Sequence, residues 1–347
     1  MEEIHRILET IQRIDQKSVL ATITHVEGRA YRKEGTTMLF LEDGSHIGVL
    51  SAGCLETHLS ACVPDILAAE SSQSFIFDMS SPDPLSFGED SGCGSVIHVT
   101  MEAVHDRLKN HLLTLKKHLD HQTEVIHVKR FDVDGSVSDY AFLTKDQLLF
   151  GEWAGEFPQA FRDGTLSEEA RRSGVKLVPS IQSDVFLHTY YPKPRLLLFG
   201  AGPDARSLAS FAAATGFSVV VSDWRAALCN RRYFPDADSI LLGFPEETIN
   251  MIHFTPSDYA VVMTHHFKRD QELVRFLSKQ QLCYLGILGS KNRTARLFHG
   301  KRIPNEVYSP VGLAIGAEGP EEIAVSILAE MIYMYRKNRA GSPSYHD

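Results

Sequence analysis

Two kinds of residue cluster in this sequence could do chemistry. The first pairs a thiol with glycine. Gly53-Cys54-Leu55-Glu56 sets a cysteine just after a strand-like run and at the start of a predicted helix. A helix dipole there favours thiolate over thiol. The same four residues also fit a small buried cysteine, with Glu56 serving the first helical turn. Gly92-Cys93-Gly94 is a second cysteine, in an open loop whose glycines let a ligand come close. Between the strands before Cys54 lies a basic stretch, Arg29-Ala30-Tyr31-Arg32-Lys33, in which Arg32 is a candidate partner for a phosphate.

The second cluster is Gly200-Ala201-Gly202-Pro203-Asp204-Ala205, which follows an apolar run and opens a helix. Gly200 suits the tight turn, Gly202 lets a pyrophosphate reach the backbone, and Ala205 allows close helix–strand packing. Asp223 ends the next strand about 20 residues on, where a carboxylate can take a ribose hydroxyl pair. Arg225 could meet a 2′-phosphate or stand as a solvated loop residue. Thr264-His265-His266 and Ser290-Lys291-Asn292-Arg293 each follow a further predicted strand. Both fall at the carboxyl edge, where open α/β sheets bind ligands. Ser290 and Lys291 also open a helix, a fair anion site. No Walker A motif, Gly-x-Ser-x-Gly elbow or HExxH is present.

The elements that must position these residues differ between the two halves. Ile4, Ile7, Leu8, Ile11 and Ile14 predict an N-terminal helix. Strands are predicted over 18–26, 37–41, 46–50, 74–77 and 96–101. A helix follows Gly53, with Pro64 expected to break or kink it. A helix over 103–120, two strands about Asp134-Gly135 and a strand over 175–178 complete an N-terminal α+β domain, 1–190. The proline-rich Tyr190-Tyr191-Pro192-Lys193-Pro194 reads as a linker. Beyond it, strands over 195–199, 217–222, 239–242, 259–263 and 284–288 alternate with helices. That alternation predicts a Rossmann-like, doubly wound parallel sheet over 195–338, so the fold class is α/β. Residues 339–347 read as a frayed tail.

Composition narrows the function. The 347 residues carry 35 Lys+Arg against 44 Asp+Glu, a net charge of -9, the wrong sign for a chain held on nucleic acid by its phosphates. The acidic amphipathic N-terminus is not a signal peptide, and no run of about 18 apolar residues spans a membrane. Five cysteines, with no C-x-x-C pair, predict a reduced, cytoplasmic protein.

These motifs, in this order, resemble the XdhC/CoxI family, the maturation factors of xanthine dehydrogenase and related molybdenum hydroxylases. The likeness rests on GVLSAGCLE at 48–56 and FGEDSGCGSV at 87–96. It continues through GAGPDA, SDWR at 222–225, MTHHFKRD at 263–270, LGILGSKNRTARL at 285–297 and GLAIGAEGPEEIAVSILAE at 312–330. The sequence departs from the family at Ser51-Ala52-Gly53 and Gly94-Ser95, where more glycine is usual, and at His266, where an acid is common. The resemblance implies an accessory protein that binds molybdenum cofactor, holds it for sulfuration and delivers it to an apo-hydroxylase. It implies a cysteine desulfurase as second partner and a homo-oligomer. Gly53, Cys54, Glu56, Cys93 and Arg32 are then its cofactor residues, with Cys54 a candidate molybdenum ligand or persulfide carrier. An alternative is an NAD(P)-dependent oxidoreductase, with His265 as its acid or base.

Overall fold

The computed structural model describes residues 3–51, 53–79, 94–162, 172–178, 181 and 183–339. The chain forms two units, Glu2–Pro192 and Lys193–Asp347.

The first unit holds two five-stranded antiparallel sheets. Its elements begin with α1 (Ile4–Arg13), β1 (Ser18–Glu27), β2 (Thr37–Leu41), β3 (His46–Ile47), α2 (Cys54–Ala69), β4 (Ser72–Asp78) and β5 (Val96–Ala103). They continue with α3 (Asp106–Asp120), β6 (Val125–Phe131), β7 (Val137–Thr144), β8 (Leu149–Glu152), α4 (Gln159–Arg162), β9 (Gly174–Val178) and β10 (Ser183–Tyr190). The sheet orders are β3-β2-β1-β5-β4 and β8-β7-β6-β10-β9.

Side chains alternate across a strand, and both faces of the first sheet are covered. Val19, Ala21, Ile23, Met38, Phe40, Val99 and Met101 pack with Leu55, Leu59, Val63 and Ile66 of α2. Leu20, Leu39 and Leu41 face the other way, into a core shared with Ile4, Ile7, Leu8 and Ile11 of α1 and Leu108, Leu112, Leu115 and Leu119 of α3. Helical spacing thus puts one apolar stripe of each helix inward. Val125, Tyr140, Phe142 and Tyr190 bring the second sheet into the same core. A buried ion pair, Lys129 with Glu102, joins the two sheets. Pro64 does not end α2, which runs on to Ala69. The proline stands on the exposed face, where water can reach the carbonyl that it leaves unbonded.

The second unit is a six-stranded parallel sheet. Its elements are β11 (Arg195–Phe199), α5 (Pro203–Ala214), β12 (Ser218–Asp223), β13 (Ser239–Leu242), α6 (Pro245–Thr248), β14 (Asp258–Val262), α7 (Phe267–Leu277), β15 (Tyr284–Ile287), α8 (Lys291–Leu297), β16 (Val307–Tyr308) and α9 (Pro320–Arg339). The order β13-β12-β11-β14-β15-β16 is the doubly wound arrangement of a Rossmann fold. Leu196, Leu198, Val219 and Val221 pack toward α5 and α9, while Leu197, Phe199, Ala260 and Val262 pack toward α7 and α8. The chain reverses its direction of travel through the sheet between β11 and β14. Ligands of open α/β sheets bind at such a switch point.

Candidate functional site

In the first unit, strand pairing gathers three connections at one edge of the first sheet. Glu27, the end of β1, lies opposite Val96, the start of β5. Asp78, the end of β4, lies opposite Val96 too. Thr37, the start of β2, pairs with Thr22 near the same end. Residues 28 and 79 therefore leave the sheet at that edge, and residue 95 enters it there. The turn after β3 returns to the same edge, because Gly48 packs on Thr37 and Met38. Gly28 sits at φ +82°, and a Cβ on it would stand 2.6 Å from the Gly94 carbonyl oxygen, so the backbone at 28 lies against that at 94. Arg32, the basic-loop candidate, belongs to connection 28–36. Its guanidinium carbon is 5.2 Å from the Tyr31 ring centre, and its buried Nε has no hydrogen-bond partner among the described residues. Cys93 and the glycine beside it at 92 lie outside the described residues.

The turn before α2 is held by two side chains. Glu56 Oε1 accepts from the amides of Leu50 (2.9 Å) and Ser51 (2.6 Å), and Oε2 accepts from the Ser51 hydroxyl. Ser51 Oγ in turn accepts from the amides of Gly53 and Leu55, each at 3.2 Å. A hydroxyl has one donor and two acceptor positions, so Ser51 is saturated. Burial pushes the Glu56 carboxyl up, but the Ser51 hydroxyl and the Ser51 and Leu50 amides outweigh it and hold the group below its ordinary value. Gly53 takes φ +119°, with open space where its Cβ would be, and Cys54 begins the helix. Glu56 thus pins the turn that delivers Cys54 to the edge; its carboxylate is directed into the turn. The motifs alone do not single out Ser51, although a serine shortly before a helix is a capping signal. A cleft of about 600 Å³ lies at the opposite edge, lined by charges of both signs including Lys17, Glu70, Arg107 and Glu152. None of the chemical motifs reaches it.

In the second unit the predicted residues do come together at the carboxyl edge. Gly200 takes φ +123° between β11 and α5, and Gly202 caps α5. Ala205 is buried against the sheet. Asp223 is buried with its side chain fully covered. Its Oδ1 accepts from Arg225 N (2.8 Å) and Nε (2.9 Å), and its Oδ2 accepts from Arg225 Nη2 (2.6 Å) and Ala201 N (2.8 Å). Arg225 therefore lies on Asp223. His265, at φ +60°, reaches across to Asp204, with Nε2 3.1 Å from Oδ2. Ser290 caps α8 by accepting from Arg293 N, and Lys291 is exposed beside it. The Arg293 guanidinium turns inward to buried Asp270 at 2.5 Å. Asp204 is a functional candidate that the motifs do not mark; an acid in the first turn of the glycine-led helix is its signal.

Residues 12–78 match the model of the XdhC and CoxI family, and 196–331 match that of the XdhC Rossmann domain. Residues 106–191 match a BH1974-like central domain. A Bacillus subtilis protein, described as a probable component of xanthine dehydrogenase, is 42% identical over 334 residues, 96% of this chain and 97% of that one. The chain belongs to the XdhC/CoxI family. A family likeness also appears in a crystal structure from Bacillus halodurans, described as a xanthine dehydrogenase. Its TM-score is 0.88 at 42% identity, covering 99% of both chains. The Escherichia coli molybdenum cofactor insertion chaperone PaoD is 24% identical over 322 residues, 90% of this chain and 82% of that one. As an XdhC/CoxI protein, the chain carries the Gly53–Glu56 turn on its first unit and the Gly200–Ala205 turn on its Rossmann unit.

Proposed function

We propose that this protein is a maturation factor that receives molybdenum cofactor, holds it while a terminal sulfur is installed, and passes it to an apo molybdenum hydroxylase of the xanthine dehydrogenase type. The observation that carries the reading is the Ser51–Glu56 clamp, which fixes the backbone that starts α2 at Cys54. A ligand site gains from such preorganisation, because the turn need not be ordered when cargo arrives.

The residues suit this cargo. Molybdenum accepts soft thiolate ligands, and Cys54, whose backbone opens α2, is the candidate thiol. Molybdenum cofactor also carries a phosphate, and Arg32 is a cation whose buried Nε has no partner among the described residues. An arginine fork suits phosphate oxygens. Glu56 does not fit as a ligand, since the Ser51 hydroxyl and the Leu50 and Ser51 amides already occupy its carboxylate. Its part is to hold the turn. Sulfur would come from a cysteine desulfurase, and Cys54 or Cys93 would be its entry point. The two full-length relatives, one described as a probable component of xanthine dehydrogenase and one as an insertion chaperone, support the same role.

The reading is tested by expressing a molybdenum hydroxylase with and without this chain. Hydroxylase activity should depend on the chain, and the purified chain alone should oxidise no purine. Full activity in its absence would refute the role.

A further inference from the structure

We infer that the Rossmann unit is closed to NAD and NADP, and that Arg225 and Asp204 are the residues that close it. The inference goes beyond the carrier role and holds or fails independently of it.

A dinucleotide-binding Rossmann fold makes two demands at this edge. A carboxylate at the end of the second strand accepts the ribose hydroxyls, and the glycine turn with the following helix receives the pyrophosphate. The strand order and the glycines of this unit satisfy the topology. The polar groups do not satisfy the chemistry.

The carboxylate is taken. A carboxylate has about four lone-pair positions. Those of Asp223 face Ala201 N, Arg225 N, Arg225 Nε and Arg225 Nη2, all within 2.9 Å. Its side chain is fully covered. A ribose diol would find neither a lone pair nor a path to one. Arg225 spends Nε and Nη2 on the two carboxylate oxygens, so it cannot offer its two-pronged fork to a 2′-phosphate.

The pyrophosphate end is less receptive than its glycines suggest. Gly200 N donates to Ser222 O and Ala205 N to Gly202 O, while Ala201 N is held by Asp223. Pro203, the first residue of α5, has no N–H to offer. Asp204 then puts a negative carboxylate in the first turn, where it answers the helix dipole itself and repels a phosphate. The His265 ring, tethered to Asp204, borders the open side of Gly202, with Cδ2 3.9 Å from the position a Cβ would take.

The test is a calorimetric titration of the full chain at neutral pH with NAD and, separately, NADP. Wild type should give no saturable binding up to roughly 1 mM ligand. The Asp204→Asn, Arg225→Ala double variant frees one carboxylate and removes the other's charge. It should gain NAD binding at least roughly tenfold tighter than the wild-type limit. NADP should gain less, because the freed Asp223 repels a 2′-phosphate. Saturable wild-type binding of either dinucleotide below roughly 1 mM would overturn the inference. So would a double variant that keeps the wild-type near-UV dichroism and gains nothing. The wild-type titration needs no variant to fold, so it decides the matter should the double variant be unstable.

Discussion

Glu56 shows how a single carboxylate can matter by what it fixes. Each hydrogen bond to a charged group is worth about 1.5–3 kcal/mol, and Glu56 accepts from Leu50 N, Ser51 N and the Ser51 hydroxyl. Its folded carboxyl titrates below the ordinary value, so its contribution is present above the unfolded pKa and is lost as pH falls through the folded one. Thermal unfolding of wild type and Glu56→Gln across this range should show wild type more stable near neutrality and the two converging in acid. A constant gap down to strongly acidic pH would contradict the clamp. His127 also weakens the fold in acid, but for the opposite reason, since its charged form is the disfavoured one. It is buried, stacks on Phe142 at 4.2 Å, and its ring nitrogens have no partner among the described residues. Burial, Lys129 and His188 all hold it well below 6.5. The ring is therefore neutral when folded and gains a proton on unfolding in mild acid, so stability falls as pH drops below the unfolded value near 6.5. His127→Phe keeps the stack and should flatten that slope in pH-dependent denaturant titrations; an unchanged slope would assign it to other groups.

At the scale of elements, two glycines in the left-handed region separate strain from collision. Gly200 sits at φ +123° with the Met263 carbonyl where a Cβ would go, whereas Gly53 sits at φ +119° with nothing within 4 Å. Gly53→Ala should cost about 1–2 kcal/mol from backbone strain alone. Gly200→Ala should cost more, because it also forces β11 and β14 apart, and chemical denaturation that ranks them the other way would contradict the packing. These turns are legible in sequence because glycine pairs with a backbone requirement. So are α1, β11, β12, β14 and β15, whose apolar residues follow the period of helix or buried strand. β10 is not: Ser183–Tyr190 has both faces buried over most of its length, which erases the alternation of a half-exposed strand. The site is legible in its residue types and not in its hydrogen bonds. Asp223 and Glu56 stand where ligand-binding carboxylates are expected. Only the folded turn shows that Arg225 and Ser51 reach them first.

At the scale of the whole molecule, the chain joins an α+β unit with a cysteine-led helix to a Rossmann unit whose polar groups face one another. A net charge of -9 argues against a nucleic-acid partner, and among the described residues no helix is long and apolar enough to cross a membrane. If the proposed role is right, Cys54 holds the cargo. The most direct test is anaerobic purification of wild type and Cys54→Ser from cells making molybdenum cofactor, followed by metal and pterin analysis of each. The substitution keeps the size of the side chain and exchanges a soft ligand for a hard, protonated one. Wild type should retain molybdenum and pterin in matching amounts, and Cys54→Ser should lose at least roughly nine-tenths of both, a loss of more than about 1.4 kcal/mol in affinity. Equal retention by the two proteins would contradict the account and move the cargo away from the α2 edge.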